Sequence, residues 1–373
     1  MLKIFCSPSR YLQGRDASRE LAGELVKMGL ADSPLIIAGA RARRDIEAVW
    51  VETFAAATIP LTVVTFGGEC CRSEIERCTQ DARRTHAGCI VGVGGGKALD
   101  TARAVADVLD LPVVCCPTIA ASDAPCSALS VVYTAEGVFE ECLFYRRHPA
   151  LVLVDTSVIA RAPVRYLIAG MGDALATWFE AETVQRAAQP NVLGGGGTLA
   201  ALAIARLCYQ TLLQDGEAAV AAARVRAVTP ALERIVETNI LLSGLGFESG
   251  GLAVAHALHN GLTVIPETHR CLHGEKVAFG TLVQLVLEGR DRTEIEEVMR
   301  FCAAVGLPLT LQALGIETLS PEQARQIAER TLAPGESSHH EPFELTWVAV
   351  KDALLAADAL GREWLAASRR KGA

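Results

Sequence analysis

The sequence predicts an α/β domain followed by an all-α domain, on two observations. Over the first 155 or so residues, short β-rich runs alternate with segments of helical spacing. Beyond about residue 160, long Ala/Leu/Glu-rich segments with helical periodicity take over, and β-branched runs become few. A chain of 373 residues also has the length of two domains at about 150 residues each. Half of it is hydrophobic and 21% charged, which is enough apolar material for sizeable cores without disulfide or metal staples. We therefore place the boundary at residue 160, with domains spanning 1–160 and 161–373.

The expected strands are Leu35–Ala38, Leu61–Phe66, Cys89–Val93, Val113–Cys116 and Leu151–Val154. Helical spacing between the earlier ones appears at Leu21, Leu25 and Met28, at Ile75 and Arg83, and at Leu99, Ala102, Val105, Ala106 and Leu109. Strand–helix–strand alternation implies parallel strands with helices on the faces, since hairpins cannot supply such crossovers. Leu129–Tyr133 and Val138–Phe144 instead read as a hairpin turning at Glu136-Gly137. In the second domain Pro163 fits a helix's first turn. Thr198–Leu213, Gly216–Arg226, Pro230–Leu241, Thr293–Val305 and Pro321–Leu332 read as helices. Gly194–Gly197 reads as a flexible loop, and Ala333–Phe343 as another.

Composition excludes some classes. The net charge is −8 and aromatics are 5%, so neither a basic face nor a base-stacking platform for nucleic acid is expected. No run reaches the length of a membrane span, and the N-terminus lacks a signal-peptide pattern. The twelve cysteines include two vicinal pairs and no C-x-x-C, which reads as reduced thiols in a cytoplasmic protein, mostly filling cores.

Three motifs carry chemistry. Gly92-Val93-Gly94-Gly95-Gly96-Lys97 joins a strand to a helix. Val91 and Ala98 break the Walker A pattern and Lys97 breaks G-x-G-x-x-G. Consecutive glycines at a strand's C-terminal end favour pyrophosphate binding over a merely tight turn. Pro117 to Ser127, containing the single carboxylate Asp123, lies just beyond another strand end, where open sheets bind ligands. An ordinary loop is an equal reading. Finally, Asp173 in Gly170-Met171-Gly172-Asp173 reads as opening a helix, where it is either a favourable terminal charge or a ligand. His256 and His259 lie in a Gly/Ala-rich helix, and His273 follows. One Asp and two His make a three-ligand site with an open fourth position, although each His taken singly reads as structural.

Together these motifs resemble the glycerol dehydrogenase family, within the iron-containing alcohol dehydrogenase and dehydroquinate synthase-like superfamily. The resemblance spans nearly the whole chain. It is densest at Gly94–Lys97 with Asp100, Thr118–Tyr133, Leu151–Glu182 and Leu242–Leu282. It implies an N-terminal dinucleotide-binding domain, a helical C-terminal domain and an active site in the cleft between them. By position it implies metal ligands Asp173, His256 and His273. Thr177 stands where iron-using relatives carry a fourth ligand, which favours Zn2+. It further implies that Gly94, Gly95, Gly96 and Lys97 hold the pyrophosphate end of NAD, that Asp100 and Gly39 belong to the cofactor-binding set, and that Thr118, Ser127, Leu129 and Tyr133 line the nicotinamide end. Asp123 would position substrate and His259 would support the site. The implied substrate is a small polyol, and the implied assembly a homo-oligomer, an octamer by resemblance.

One departure concerns the cofactor. NAD-using members carry an Asp after the second strand. Here Gly39 stands there, followed by Ala40-Arg41-Ala42-Arg43-Arg44. Without a carboxylate to repel a 2′-phosphate, NADP becomes possible. A rival reading on the same fold is an NADPH-dependent hydroxycarboxylate or ketone reductase. A lyase of the dehydroquinate synthase type would need more basic residues than the matched stretches supply.

Overall fold

The computed structural model describes residues 1–371. The chain divides into two compact units. One comprises Ser7–Pro163 with Ala222–Gly244. The other comprises Met1–Cys6, Val164–Ala221 and Leu245–Ala373. The crossing at Pro163/Val164 lies close to the composition switch, and two further segments change sides.

The first unit contains β1 (Tyr11–Gly14), α1 (Leu21–Lys27), β2 (Pro34–Ala38), α2 (Ala40–Ala56), β3 (Thr62–Thr65), α3 (Arg72–Arg84), β4 (Cys89–Gly94), α4 (Gly96–Leu109), β5 (Val113–Pro117), β6 (Leu129–Tyr133), β7 (Phe139–Phe144), β8 (Leu151–Asp155) and α5 (Thr156–Ala160). Six strands form one parallel sheet in the order β1-β8-β5-β4-β2-β3. Strands β2, β4, β5 and β8 are buried throughout, which is why they read as continuous apolar runs rather than alternating ones. Leu21, Leu25, Trp50 and Phe54 from α1 and α2 pack with Ile36, Val91, Val114 and Leu153 of the sheet. The hairpin β6–β7 forms as expected, with Gly137 at φ 83° in its turn and a bulge at Val132/Tyr133.

The C-terminal edge of β8 is pinned by Asp155. Its carboxylate accepts N–H groups from Ser157 (2.9 Å) and Val158 (3.3 Å), capping α5. It also accepts those of Asp16 (3.1 Å) and Ser18 (3.0 Å), which fastens the chain leaving β1 to β8. This unit also holds α8 (Pro230–Glu237), which passes into a π-helical turn, Thr238–Leu242, where a single helix to Leu241 was expected.

The second unit is helical: α6 (Val164–Arg186), α7 (Leu199–Arg224), α9 (Ser243–Gly250), α10 (Val254–Leu262), α11 (His273–Leu287), α12 (Arg292–Val305), α13 (Pro321–Thr331) and α14 (Trp347–Lys371). The ends of α7 and α9 fall in the neighbouring segment's unit. Three expectations need correction. Helix α7 is continuous rather than broken at Gly216, because a side chain there would meet Phe301 Cε2 at 2.7 Å; the glycine serves packing, not a break. The glycine run 194–197 is held rather than free. Asn191 Oδ1 accepts the N–H groups of Leu193 and Gly195, and Gly196 bridges Lys3. Asp173 lies in the middle of α6, not at its start.

All twelve cysteines are free thiols, nine of them buried. Burial pushes Cys89 and Cys302 up to about 12, which leaves them inert fillers. Among the described residues, no single helix is long and apolar enough to cross a membrane.

Removing the Asp155 carboxylate leaves several N–H groups without acceptors. Asp155→Ala should destabilise the protein by about 3 kcal/mol. Chemical denaturation checks this, and a loss under about 1 kcal/mol would show that water replaces the carboxylate.

Candidate metal and dinucleotide sites

In the helical unit, helices α6, α10 and α11 approach closely enough for short side chains to converge. Gly172 on α6 faces Gly274 on α11, and a methyl on Gly274 would overlap the Ala169 carbonyl oxygen outright. Gly280 makes the same kind of contact with α10, where a Cβ would lie 2.5 Å from the Ala255 carbonyl oxygen. The Gly170 and Gly172 that suggested a helix start therefore serve a helix crossing.

The crossing brings together Asp173, His256 and His273, whose donor atoms lie within 4.8 Å of one another. Asp173 Oδ1 is 2.9 Å from His273 Nε2 and 3.4 Å from His256 Nε2. Asp173 is fully buried. Burial opposes its ionisation, but facing His273 and His256 outweighs that and holds its carboxyl well below the usual range.

The far nitrogens of both histidines are engaged. His256 Nδ1 lies 2.6 Å from Glu180 Oε2. Glu180 Oε1 also accepts the N–H groups of Ala253 (2.9 Å) and His256 (3.0 Å), so this buried carboxylate caps α10 while orienting its histidine. Burial disfavours the His256 cation, yet Glu180 and Asp173 push its basicity well above that of a free imidazole. His273 Nδ1 lies 3.1 Å from His259 Nε2, and His259 Nδ1 lies 3.0 Å from Asn260 Oδ1. Burial, then the proximity of His273, Lys276 and His256, push His259 well below its ordinary value, which favours its neutral form. Glu180 went unnoticed in the sequence. Its one available signal is a carboxylate seven residues after Asp173, two helical turns along the same face.

In the sheet unit, the glycine-rich turn leads from β4 into α4. A Cβ on Gly94 would approach Ala98 Cβ at 2.8 Å, and Gly96 has open space around it. Gly39 lies on the neighbouring strand end and donates its N–H to the Val93 carbonyl at 3.0 Å. Thr118 donates its N–H to the Gly94 carbonyl at 2.9 Å. Gly39, Gly94, Gly95, Gly96 and Thr118 thus share the C-terminal edge of the sheet, above the start of α4, where N–H groups and positive potential favour an anion.

Lys97 reaches Glu69 Oε2 at 2.5 Å and lies 4.7 Å from the Tyr133 ring centroid. Leu129 and Tyr133 begin and end β6. Asp100 faces inward: its carboxylate is buried against Arg103, whose Nη1 donates to the Ala124 carbonyl at 2.7 Å. Ser127 Oγ donates to the same carbonyl at 3.0 Å. Asp100 therefore supports the turn at Ala124 through Arg103 rather than facing the glycine-rich edge. Asp123 is buried too, and its Oδ2 accepts the Ser243 hydroxyl at 2.8 Å. Asn239 Nδ2 donates to the Ala120 carbonyl at 3.0 Å, so the loop from Thr118 to Ser127 is fastened from 239 and 243.

Of the arginines after Gly39, Arg43 forks onto Glu47 (2.8 and 3.0 Å) and donates to Thr65 Oγ1 (2.8 Å). Thr65 ends β3, the strand paired with β2, so this guanidinium lies at the same sheet edge as Gly39. Arg41 and Arg44 pair loosely with Asp45 and are 61% and 71% exposed.

A family model of iron-containing alcohol dehydrogenases matches residues 8–156. The chain is 52% identical to a glycerol dehydrogenase of Pseudomonas putida, over 96% of this chain and 98% of that one. It is 45% identical to a glycolaldehyde reductase of Halobacterium salinarum, over 97% and 99%. The crystal structure of glycerol dehydrogenase from Schizosaccharomyces pombe matches with a TM-score of 0.94 at 39% identity, covering 98% of this chain and 93% of that one.

The helix crossing generates a test. Gly274→Ala forces α6 and α11 apart beside Asp173 and His273. It should destabilise the protein by about 3 kcal/mol. The metal content of the purified folded fraction should fall with it. Unchanged melting and metal content would show that the crossing adjusts freely.

Proposed function

The chain belongs to the glycerol dehydrogenase family within the iron-containing alcohol dehydrogenases, and from that membership we propose that it oxidises glycerol and related 1,2-diols. Glycerol gives dihydroxyacetone, with hydride passed to NAD. The observation that carries the reading is the convergence of Asp173, His256 and His273 in one buried cluster.

Two imidazoles and one carboxylate suit zinc held by three ligands with a fourth position for substrate. Both Nε2 atoms face the Asp173 carboxylate, and the opposite nitrogen of each ring has its own partner, which fits such an ion. When bound, zinc would supply Lewis-acid activation of a substrate hydroxyl. Asp173 brings the negative charge of the donor set. Glu180 fixes the His256 ring through Nδ1. His259 supports His273.

The cofactor would use the sheet unit. The N–H groups at Gly94–Gly96 would receive the pyrophosphate, and Lys97, paired here with Glu69, would meet a phosphate oxygen. Thr118, Ser127, Leu129 and Tyr133 would line the nicotinamide end. Asp123 acts on substrate from the loop that Ser243 and Asn239 fasten. We further read the protein as a cytoplasmic homo-oligomer, by analogy with the family.

The test is glycerol oxidation with NAD before and after dialysis against a chelator. Activity should disappear with the metal and return with zinc. His256→Ala should lose both zinc and turnover. Full turnover and full zinc content in His256→Ala would defeat the assignment.

Gly39 favours a second reading of cofactor choice. Its backbone (φ −59°, ψ 146°) accepts any residue, and a Cβ there meets nothing nearer than 4.0 Å. The absence of a carboxylate is therefore not a steric requirement, and Arg43 lies at the same edge. We expect measurable NADP turnover, and Gly39→Asp should shift the kcat/KM ratio at least tenfold toward NAD. A strictly NAD-dependent wild type whose ratio Gly39→Asp leaves unmoved would show that this turn does not read the ribose.

A further inference from the structure

Behind His273 runs a chain of hydrogen bonds whose far end is a carboxylate. Asn260 Nδ2 lies 2.9 Å from Glu336 Oε2, and Glu336 is paired with Arg330. We propose that Glu336, acting through Asn260 and His259, sets the tautomer of His273 and so prepares its Nε2 to bind the metal. The inference rests on the reading that Asp173, His256 and His273 hold that metal.

The polarity of the chain follows from one end. The Glu336 carboxylate accepts, so Asn260 must turn its amide nitrogen toward it. That leaves Asn260 Oδ1 facing His259 Nδ1, 3.0 Å away. An amide oxygen only accepts, so His259 Nδ1 carries a proton. A neutral imidazole has one N–H, so His259 Nε2 presents a lone pair. His273 Nδ1, 3.1 Å from it, must therefore donate. With Nδ1–H committed to His259, the proton that a metal would displace from His273 is the one Nε2 directs at the Asp173 carboxylate, 2.9 Å away, so Nε2 is the atom left to offer its lone pair.

Without the chain, His259 is free to turn its proton onto Nε2. His273 Nδ1 would then accept, its own proton would move to Nε2, and the ligand lone pair would be lost. His256 gets the same instruction directly from Glu180. His273 gets it through two intermediates, from a carboxylate in the connection between α13 and α14. Asn260, Glu336 and His259 are thus positioning residues.

Zinc affinity, measured by chelator competition alongside the melting temperature of the metal-free protein, tests this. Asn260→Ala and Glu336→Ala should each weaken zinc binding at least tenfold, the scale of losing a partner behind a ligand. Glu336→Gln keeps an acceptor oxygen for Asn260 and should remain within about threefold of wild type. The double variant should bind no worse than Asn260→Ala alone, because both break one chain, whereas independent structural damage would multiply. Affinities within twofold of wild type for both alanine variants, or losses that multiply in the double variant, would overturn the relay. His256→Ala separates the two levels. If it loses zinc while the relay variants bind normally, only the relay is wrong. If it binds zinc like wild type, the metal centre itself is wrong and the relay goes with it.

Discussion

Backbone contact between three helices governs the candidate metal site of the helical unit. In Asp173, His256 and His273 only two bonds separate Cα from the ring or carboxyl carbon. For their donor atoms to meet within 4.8 Å, the helices that carry them must nearly touch. Ordinary helix packing separates axes by about 8–10 Å, set by the side chains in the interface. Gly172 against Gly274, and Gly280 against Ala255, remove those side chains where the donors need to converge. The catalytic chemistry proposed here therefore depends on positions that have no functional group at all.

The same economy explains what surrounds the donors. Once α6 and α10 are in contact, Glu180 is near enough to satisfy the first N–H groups of α10 and to hold His256 by its ring. One buried carboxylate closes a helix end and orients a ligand. In the sheet unit, Asp155 plays a comparable double part, ending β8 and gathering N–H groups from the segment after β1. Asp100 and Arg103 form a third such device, a buried pair that holds the Ala124 carbonyl beneath the loop from Thr118 to Ser127.

Much of this was legible in the sequence. Buried parallel strands read as apolar runs, and the four of them, together with the half-exposed edge strand β3, were located to within about a residue. The strand Tyr11–Gly14 was not, because YLQG is short, partly polar and at the sheet edge, with none of the signals that mark an interior strand. The residue types Asp, His and His at 173, 256 and 273 announced a site. Their environment was harder to read. Gly170, Gly172 and Gly216 looked like punctuation, since glycine breaks helices when nothing else intervenes. At 172 and 216 a neighbouring backbone or Phe301 occupies the missing side chain's volume, a relation invisible to local pattern. Asp123 looked like a loop carboxylate facing a ligand and Asp100 was given a place in the cofactor site by resemblance, and both are buried with internal partners contributed by Ser243 and Arg103. Glu336 is 76 residues from Asn260, and no periodicity connects them.

The way the chain changes sides has a consequence for how the protein is made. Lys3 and Ile4 pair with Gly196 and Asn191, so this segment cannot settle until nearly two hundred more residues have followed it. The loop from Thr118 to Ser127 likewise waits for Asn239 and Ser243, about 120 positions later. At roughly 5–20 residues per second these delays are on the order of 10–40 s and 6–24 s. Once Asp155 has been added the six-stranded sheet has all its strands, but the loop from Thr118 to Ser127 lacks its fastening until Asn239 and Ser243 follow. The nascent chain thus passes through a stage in which the framework is complete and the site is not, and that stage ends only when residues well past the middle have been synthesised.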